Sequence, residues 1–201
     1  MSSEPGGARK LIYIPIVHTQ ADMGTLAASI RGTKLSVLGR QGVARQQAAV
    51  EEMWQQIERT LARMEVPAGT RVYQDGLPVC GREPVIVSDL AQAGSRNHKL
   101  LLALRERGAI LMGTESPELL LEEYQLATAA FGAPSTARKD FREKQLRDAL
   151  LEKRDRYIAQ RVNTTLPGGQ TGMLFLGMLH NVAPYLAADI TAVYPLGRPR
   201  R

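Results

Sequence analysis

Six side chains in this sequence have the types and positions for acid–base or metal chemistry: His18, Asp75, Glu115, Arg154, Asp155 and His180. The chain has only three histidines, and two of them sit just past apolar runs, His18 after 11–17 and His180 after 173–177. Asp75 and Glu115 close two further strand-like stretches, 70–73 and 109–112. Imidazole exchanges its proton near neutral pH and is the commonest side-chain metal ligand. Two imidazoles with two carboxylates make a workable donor set for a first-row divalent ion such as manganese, cobalt or zinc. The same four groups would equally serve a metal-free acid/base cluster, with a carboxylate fixing the tautomer of each imidazole.

Such residues act together only if the chain brings them to one place. The apolar runs alternate with stretches that repeat every three or four residues, which predicts an α/β fold: one domain with a mainly parallel central sheet flanked by helices. In a parallel sheet every strand ends on the same edge, the edge where ligands bind in open α/β folds. Val43, Val50, Met53, Trp54, Ile57, Leu61 and Met64 mark a helix that ends at Pro67-Ala68-Gly69, after a polar connection running to about Gly42. A second connection is read over 77–84. Ser95 caps a helix carrying Leu100, Leu101 and Leu104, Ser116-Pro117 opens one that runs to Phe131, and a long charged helix covers about 136–164. The domain is placed at 10–196, between a flexible N-terminus at 1–9 and a basic C-terminal tail at 197–201.

The long helix carries an anomaly. Its apolar stripe reads Phe141, Leu146, Leu150, Ile158 and Val162, and Arg154 falls on that stripe, one turn from both Leu150 and Ile158. Asp155 stands similarly between Leu151 and Ala159. A charge facing a core must be paired or reach a polar cleft, because desolvating it alone is expensive. Arg154 therefore either closes an internal salt bridge or fixes a carboxylate or anionic ligand group beside the histidines.

Composition narrows the function classes. Of 201 residues, 44% are hydrophobic and 23% charged, the balance of a globular protein, and no apolar run approaches the roughly 20 residues of a membrane span. The start lacks the charged head and apolar stretch of a secretory signal, so a cytoplasmic location is expected. A lone Cys80 excludes a disulfide framework and a cysteine-cluster zinc site. The net charge of +6 raises nucleic-acid binding. Three of the positives are Arg198, Arg200 and Arg201, however, and elsewhere bases alternate with acids; with only 5% aromatic residues for base stacking, the composition argues against such a partner. No Walker, dinucleotide, HExxH or GxSxG motif occurs. His98, on a polar helix start, reads as structural.

The order of the motifs resembles the TraB/PrgY–Tiki superfamily, which also takes in erythromycin-esterase-like and ChaN-like proteins. The pieces that carry the likeness are Ile16-Val17-His18, Gly113-Thr114-Glu115, Arg154-Asp155-Arg156-Tyr157-Ile158-Ala159 and Gly177-Met178-Leu179-His180. Two positions depart from the family pattern: Pro15 stands where it has Gly, and Asp75 where it has Glu. The resemblance implies an α/β fold with histidines and acids in a cleft, and activities that range from metal-dependent peptide hydrolysis through metal-free ester hydrolysis to haem binding. Fold likeness does not select among these.

The leading expectation is a hydrolase, metal-assisted, that cleaves an amide or ester in a small-molecule or peptide substrate. His18 and His180 hold the metal with Glu115 and Asp75. Glu115 is the general base where it is not a ligand, Arg154 holds a carboxylate or steadies developing negative charge, and Asp155 fixes a neighbouring His or Arg. The alternative is a non-catalytic module that binds a small ligand or haem and acts with a protein partner. A third reading makes the helix with Val43, Trp54 and Leu61 a surface for homo-oligomer formation.

Overall fold

A computed structural model describes residues 7–17, 27–130 and 137–198, with side chains for all of these except 27–38, 40, 130 and 137–139. The elements run β1 (Arg9–Ile16), α1 (Ala27–Arg63), β2 (Arg71–Pro78), α2 (Glu83–Gln92), α3 (Arg96–Glu106), β3 (Ile110–Glu115), α4 (Pro117–Ala130), α5 (Ala137–Thr165), β4 (Thr171–Gly177), a single 3-10 turn (Ala183–Tyr185) and β5 (Ile190–Val193). The five strands form one sheet in the order β3-β2-β4-β1-β5, and every pairing is parallel. The expected single α/β domain with a parallel sheet is the fold observed.

Side chains alternate across the sheet, and each face has its own core. Ile14, Ile16, Val72, Met173 and Phe175 pack under Trp54, Ile57 and Leu61 of α1 and Leu101 and Leu104 of α3. On the opposite face Leu11, Tyr13, Tyr73, Leu174 and Leu176 pack under Ile158, Ala159 and Val162 of α5. The chain moves along the sheet one way from β1 to β3, with α1 to α3 on the first face, and back through α5 on the second. Right-handed crossovers running in opposite directions must lie on opposite faces, and this is the arrangement seen. It also means that the chain leaves adjacent strands β2 and β4 toward opposite faces, which opens a crevice between their carboxyl ends.

Several expected boundaries shift, each for a physical reason. Helix α1 begins at Ala27, well before Val43, and is interrupted at Gly39, whose backbone (φ 64, ψ 173) only glycine adopts readily. The run Val85-Ile86-Val87, which follows the supposed 77–84 connection, lies inside α2: Pro84 sits in the first turn, where its missing N–H is harmless. Trp54 and Leu61 are buried against the sheet, so the surface proposed for self-association through them is core instead. Phe141 and Leu146 are 61% and 55% exposed, whereas Leu150, Ile158 and Val162 are buried as the stripe predicted. Arg154 already meets Glu115, the last residue of β3, so the turns of α5 before it extend past the sheet edge. Arg9, assigned by composition to a flexible tail, starts β1 and makes a two-pronged salt bridge to Asp189. His98 is buried with Nδ1 2.7 Å from Ser95 Oγ, and the Ser95 hydroxyl also accepts the His98 N–H, so Ser95 caps α3 as expected.

Pro15 has a structural account of its own. β5 pairs with β1 only from Arg9 to Ile12, so Pro15 lies where β1 keeps one neighbour and has edge character, which admits a residue without an N–H. Gly113 marks a close approach in the sheet: a Cβ there would stand 2.7 Å from the Pro78 carbonyl oxygen. Gly113→Ala is expected to lower stability by about 1–3 kcal/mol, read as a shift of the urea midpoint at constant slope; an unchanged midpoint would show that β2 moves aside freely.

Candidate active site

The carboxyl ends of β2, β3 and β4 and the middle of α5 bring Asp75, Glu115, Arg154, Asp155 and His180 into one buried cluster. Tyr73 faces α5, so the pleat turns Asp75, two residues on, to the same side. Glu115 is the last residue of β3 and is fully buried. Its carbonyl accepts the Val79 N–H at 2.9 Å, which ties the end of β3 to the chain leaving β2.

Arg154 is the hub. Nη2 donates to Glu115 Oε1 at 2.8 Å and Asp75 Oδ1 at 3.1 Å, Nε donates to Glu115 Oε2 at 3.2 Å, and Nη1 donates to Glu123 of α4. The guanidinium fork thus meets both Glu115 oxygens at once, the geometry that makes arginine the residue for buried carboxylates. Burial works against its charge, but Glu115, Asp75 and Glu123 outweigh that and hold the cation firmly protonated.

The second half of the cluster is a carboxylate–imidazole pair. His180 Nδ1 lies 2.6 Å from Asp155 Oδ1, and Asp155 Oδ2 accepts the Asn181 N–H at 2.9 Å. An ionised Asp155 fixes the proton on Nδ1 and leaves Nε2 to face Asp75, 3.5 Å from its Oδ1. Asp75 Oδ2 accepts the Gly177 N–H at 2.9 Å, and the Gly177 carbonyl accepts the Tyr13 hydroxyl at 3.3 Å. Gly177 at the end of β4 therefore links Asp75, through its N–H, to Tyr13 of β1, through its carbonyl.

His18 lies outside the described residues, so its proposed meeting with His180 is not part of this geometry. Ile16, two residues earlier, pairs with Gly177. Among the described residues the metal-capable group is Asp75, Glu115 and His180, whose nearest donor atoms all lie within 4.8 Å of one another. Donors sharing one ion at about 2.0–2.2 Å are at most about 4.4 Å apart, so a small side-chain movement closes the set. The charge balance also fits. Buried Asp75, Glu115 and Asp155 face one buried guanidinium, which leaves two negative charges when His180 is neutral. Either one divalent ion or two protons would neutralise them.

The proton-holding groups are identifiable. Burial pushes the Glu115 carboxyl above the usual carboxylate range, against the opposing pull of Arg154. Burial alone would lower His180, but the Asp155 hydrogen bond and the nearby Asp75 charge win and raise it. Displaced pKa values in a buried carboxylate and imidazole occur at functional sites and in structural ion-pair networks alike, so the geometry of the cluster carries the reading.

No family model, curated protein or solved structure matches the chain. Its function must therefore be argued from the site.

Beside His180 the surface opens into a cleft of about 180 Å³, bordered by Tyr13, Met178, Asn181, Tyr194 and Arg198. From sequence Arg198 falls in a basic tail and Met178 inside the Gly177-Met178-Leu179-His180 piece, and none of the five is given a role at a site. They come from both ends of the chain and share no spacing, and only the fold brings them together. Glu123 was missed for the same reason, since it meets Arg154 only because α4 packs on α5. Among the described residues no helix is long and apolar enough to cross a membrane.

Proposed function

We propose that the chain is a hydrolase, metal-assisted, that cleaves an amide or ester of a small substrate held beside His180. The observation that carries this reading is the Asp155–His180 pair, which aims Nε2 into a buried group with Asp75 and Glu115 at the carboxyl edge of the sheet. Asp75, Glu115 and His180 would hold the ion, with His18 a candidate further ligand. The chemistry a divalent ion supplies when bound is Lewis acidity toward a carbonyl and toward water. Where Glu115 is not a ligand, it takes the proton of the attacking water and passes it to the leaving group, a role suited to a carboxyl that burial pushes above the ordinary range. Arg154 keeps Glu115 and Asp75 in place, and Asp155 keeps the His180 ring in its tautomer. The resemblance to the TraB/PrgY–Tiki superfamily, carried by His18, Glu115, Arg154-Asp155 and His180 and departed from at Asp75, includes this class of reaction among those it implies.

One observation favours a metal-free version. Arg154 already occupies both Glu115 oxygens and one Asp75 oxygen, the atoms an ion would need, which leaves proton transfer to the Asp155–His180 pair. The haem alternative is less well supported: about 180 Å³ is below the roughly 300 Å³ at which pockets for drug-sized ligands begin.

Ion and protons compensate the same two charges, so they compete. Affinity for manganese, cobalt or zinc is expected to climb with pH by up to about tenfold per unit for each proton displaced, levelling off once Glu115 and His180 are both deprotonated. Calorimetric titration in two buffers of different ionisation enthalpy measures the protons released. If none of the three ions binds at any pH from about 6 to 8.5 and ester cleavage survives a chelator, the metal-free version replaces this one. If no ester or amide is cleaved under either condition, the hydrolase reading fails.

A further inference from the structure

The cleft beside His180 has a composition that points to what it holds. One wall is aromatic: the Tyr13 and Tyr194 rings lie 5.3 Å apart between centroids, tilted by 37°. Above it the Arg198 guanidinium sits 5.6 Å from the Tyr194 ring centroid, within cation–π range, so its position is biased toward the cleft. Among the described residues no carboxylate lies within ion-pair distance of Arg198, in contrast to the arginines at 9, 96, 154 and 156. His180 is the one member of the buried cluster that lines the cleft. The space available equals about six water molecules of liquid, enough for one end of a substrate and too little for a folded partner.

Resting on the hydrolase reading, we propose that this cleft seats the end of the substrate that bears a free carboxylate on a flat apolar body, with Arg198 pairing the carboxylate and the Tyr13 and Tyr194 rings covering the body. A neutral or cationic end would leave the guanidinium without a counter-charge and gain only the ring contact. A bare anion would gain the charge and forgo the aromatic wall. The carboxylate at this end also sets the scissile bond at a fixed distance from His180, so the site selects short substrates over internal positions of a long chain.

The test uses benzoate, benzamide and acetate on the full chain without added metal, with binding followed by amide NMR shifts. Benzoate is expected to bind about tenfold more tightly than benzamide, the scale of one charge-assisted contact, and to move the Asn181 and Val182 resonances. Acetate should bind more weakly than benzoate. Arg198→Gln should bring benzoate down to the level of benzamide, with Arg198→Lys restoring part of the difference, while Tyr194→Leu should weaken both aromatic ligands together. Equal binding of benzoate and benzamide, no binding of either, or an Arg198→Gln variant that keeps the preference would overturn the assignment. Benzoate selectivity without turnover of any ester or amide removes the hydrolase and leaves the cleft, whereas turnover without benzoate selectivity removes the cleft assignment and leaves the hydrolase.

Discussion

Arg154→Met is expected to destabilise the chain by about 3–5 kcal/mol, the range for removing one partner from a buried ion pair. Methionine fills similar volume, so the loss is electrostatic and not a cavity. Without the guanidinium, Glu115 and Asp75 face each other uncompensated in a buried site. The variant's deficit should depend on pH in a definite direction. Glu115 already holds its proton above its ordinary value of 4.5 because of burial, and Arg154 opposes that rise. Deleting Arg154 raises Glu115 further. A carboxyl whose pKa is higher folded than unfolded contributes stability below the unfolded value and loses it as pH rises through the folded one. The cost of Arg154→Met should therefore be small near pH 4 and grow toward neutrality. Adding Glu115→Gln to the variant removes one stranded charge and should recover part of the loss, and Arg154→Lys, which keeps charge without the fork, should fall between. Urea unfolding across pH measures all three. A deficit that stays flat with pH, or that Glu115→Gln deepens, would mean that Arg154 acts by packing alone.

That Arg154 mattered was legible before any coordinates, because a charge on an apolar helical stripe has few ways to exist. Its partners were legible only by class. Sequence placed Asp75 and Glu115 at strand ends, and a parallel sheet sends strand ends to one edge. What sequence could not supply was strand order. The crevice lies between β2 and β4, which are far apart in the chain, and depends on the reversal that puts α5 on the opposite face from α1 to α3. The continuous apolar runs of β1 and β4 marked inner strands because a strand covered on both faces needs no polar alternation. Periodicity failed where it identifies a face but not what covers it. Phe141 and Leu146 continue the stripe of Leu150 and Ile158, yet α5 outruns the sheet and they meet solvent. The reverse error occurred at Trp54 and Leu61, where an amphipathic helix offered for self-association is the one that seals the first core. Helix α2 was hidden because its N-terminus has no side-chain cap and follows a stretch rich in Gly and Pro. The cleft was wholly illegible: Tyr13, Tyr194 and Arg198 are ordinary residues until the ends of the chain meet.

Asp155→Asn separates a catalytic reading of this cluster from a merely structural one. Asp155 does two jobs with two oxygens, holding His180 Nδ1 at 2.6 Å and accepting the Asn181 N–H at 2.9 Å. An amide has one oxygen, so it can serve only one of them. If the oxygen keeps Asn181, the NH2 faces His180 Nδ1 and forces the ring proton onto Nε2, the nitrogen the proposed ion and substrate need. Metal affinity should then fall about 10–100-fold, as for other partners that orient a ligating imidazole. Turnover should fall by up to about 10⁴, the scale seen when a catalytic histidine is held in the wrong tautomer. The imidazole itself reports the change. His180 lies above its ordinary 6.5 because the Asp155 hydrogen bond and the Asp75 charge overcome burial. Losing the Asp155 charge should move it down, and with it goes stability that in the parent chain is present below the unfolded value and lost as pH rises through the folded one. A purely structural Asp155 predicts something different: lower stability and the same downward shift of the ring, with no ion affinity and no turnover to lose. Manganese titration and turnover of the parent and the variant, read beside NMR titration of the His180 ring, distinguish the two, because the ring shift follows from the lost hydrogen bond on either reading whereas a loss of ion affinity and turnover follows only where Nε2 is a working atom.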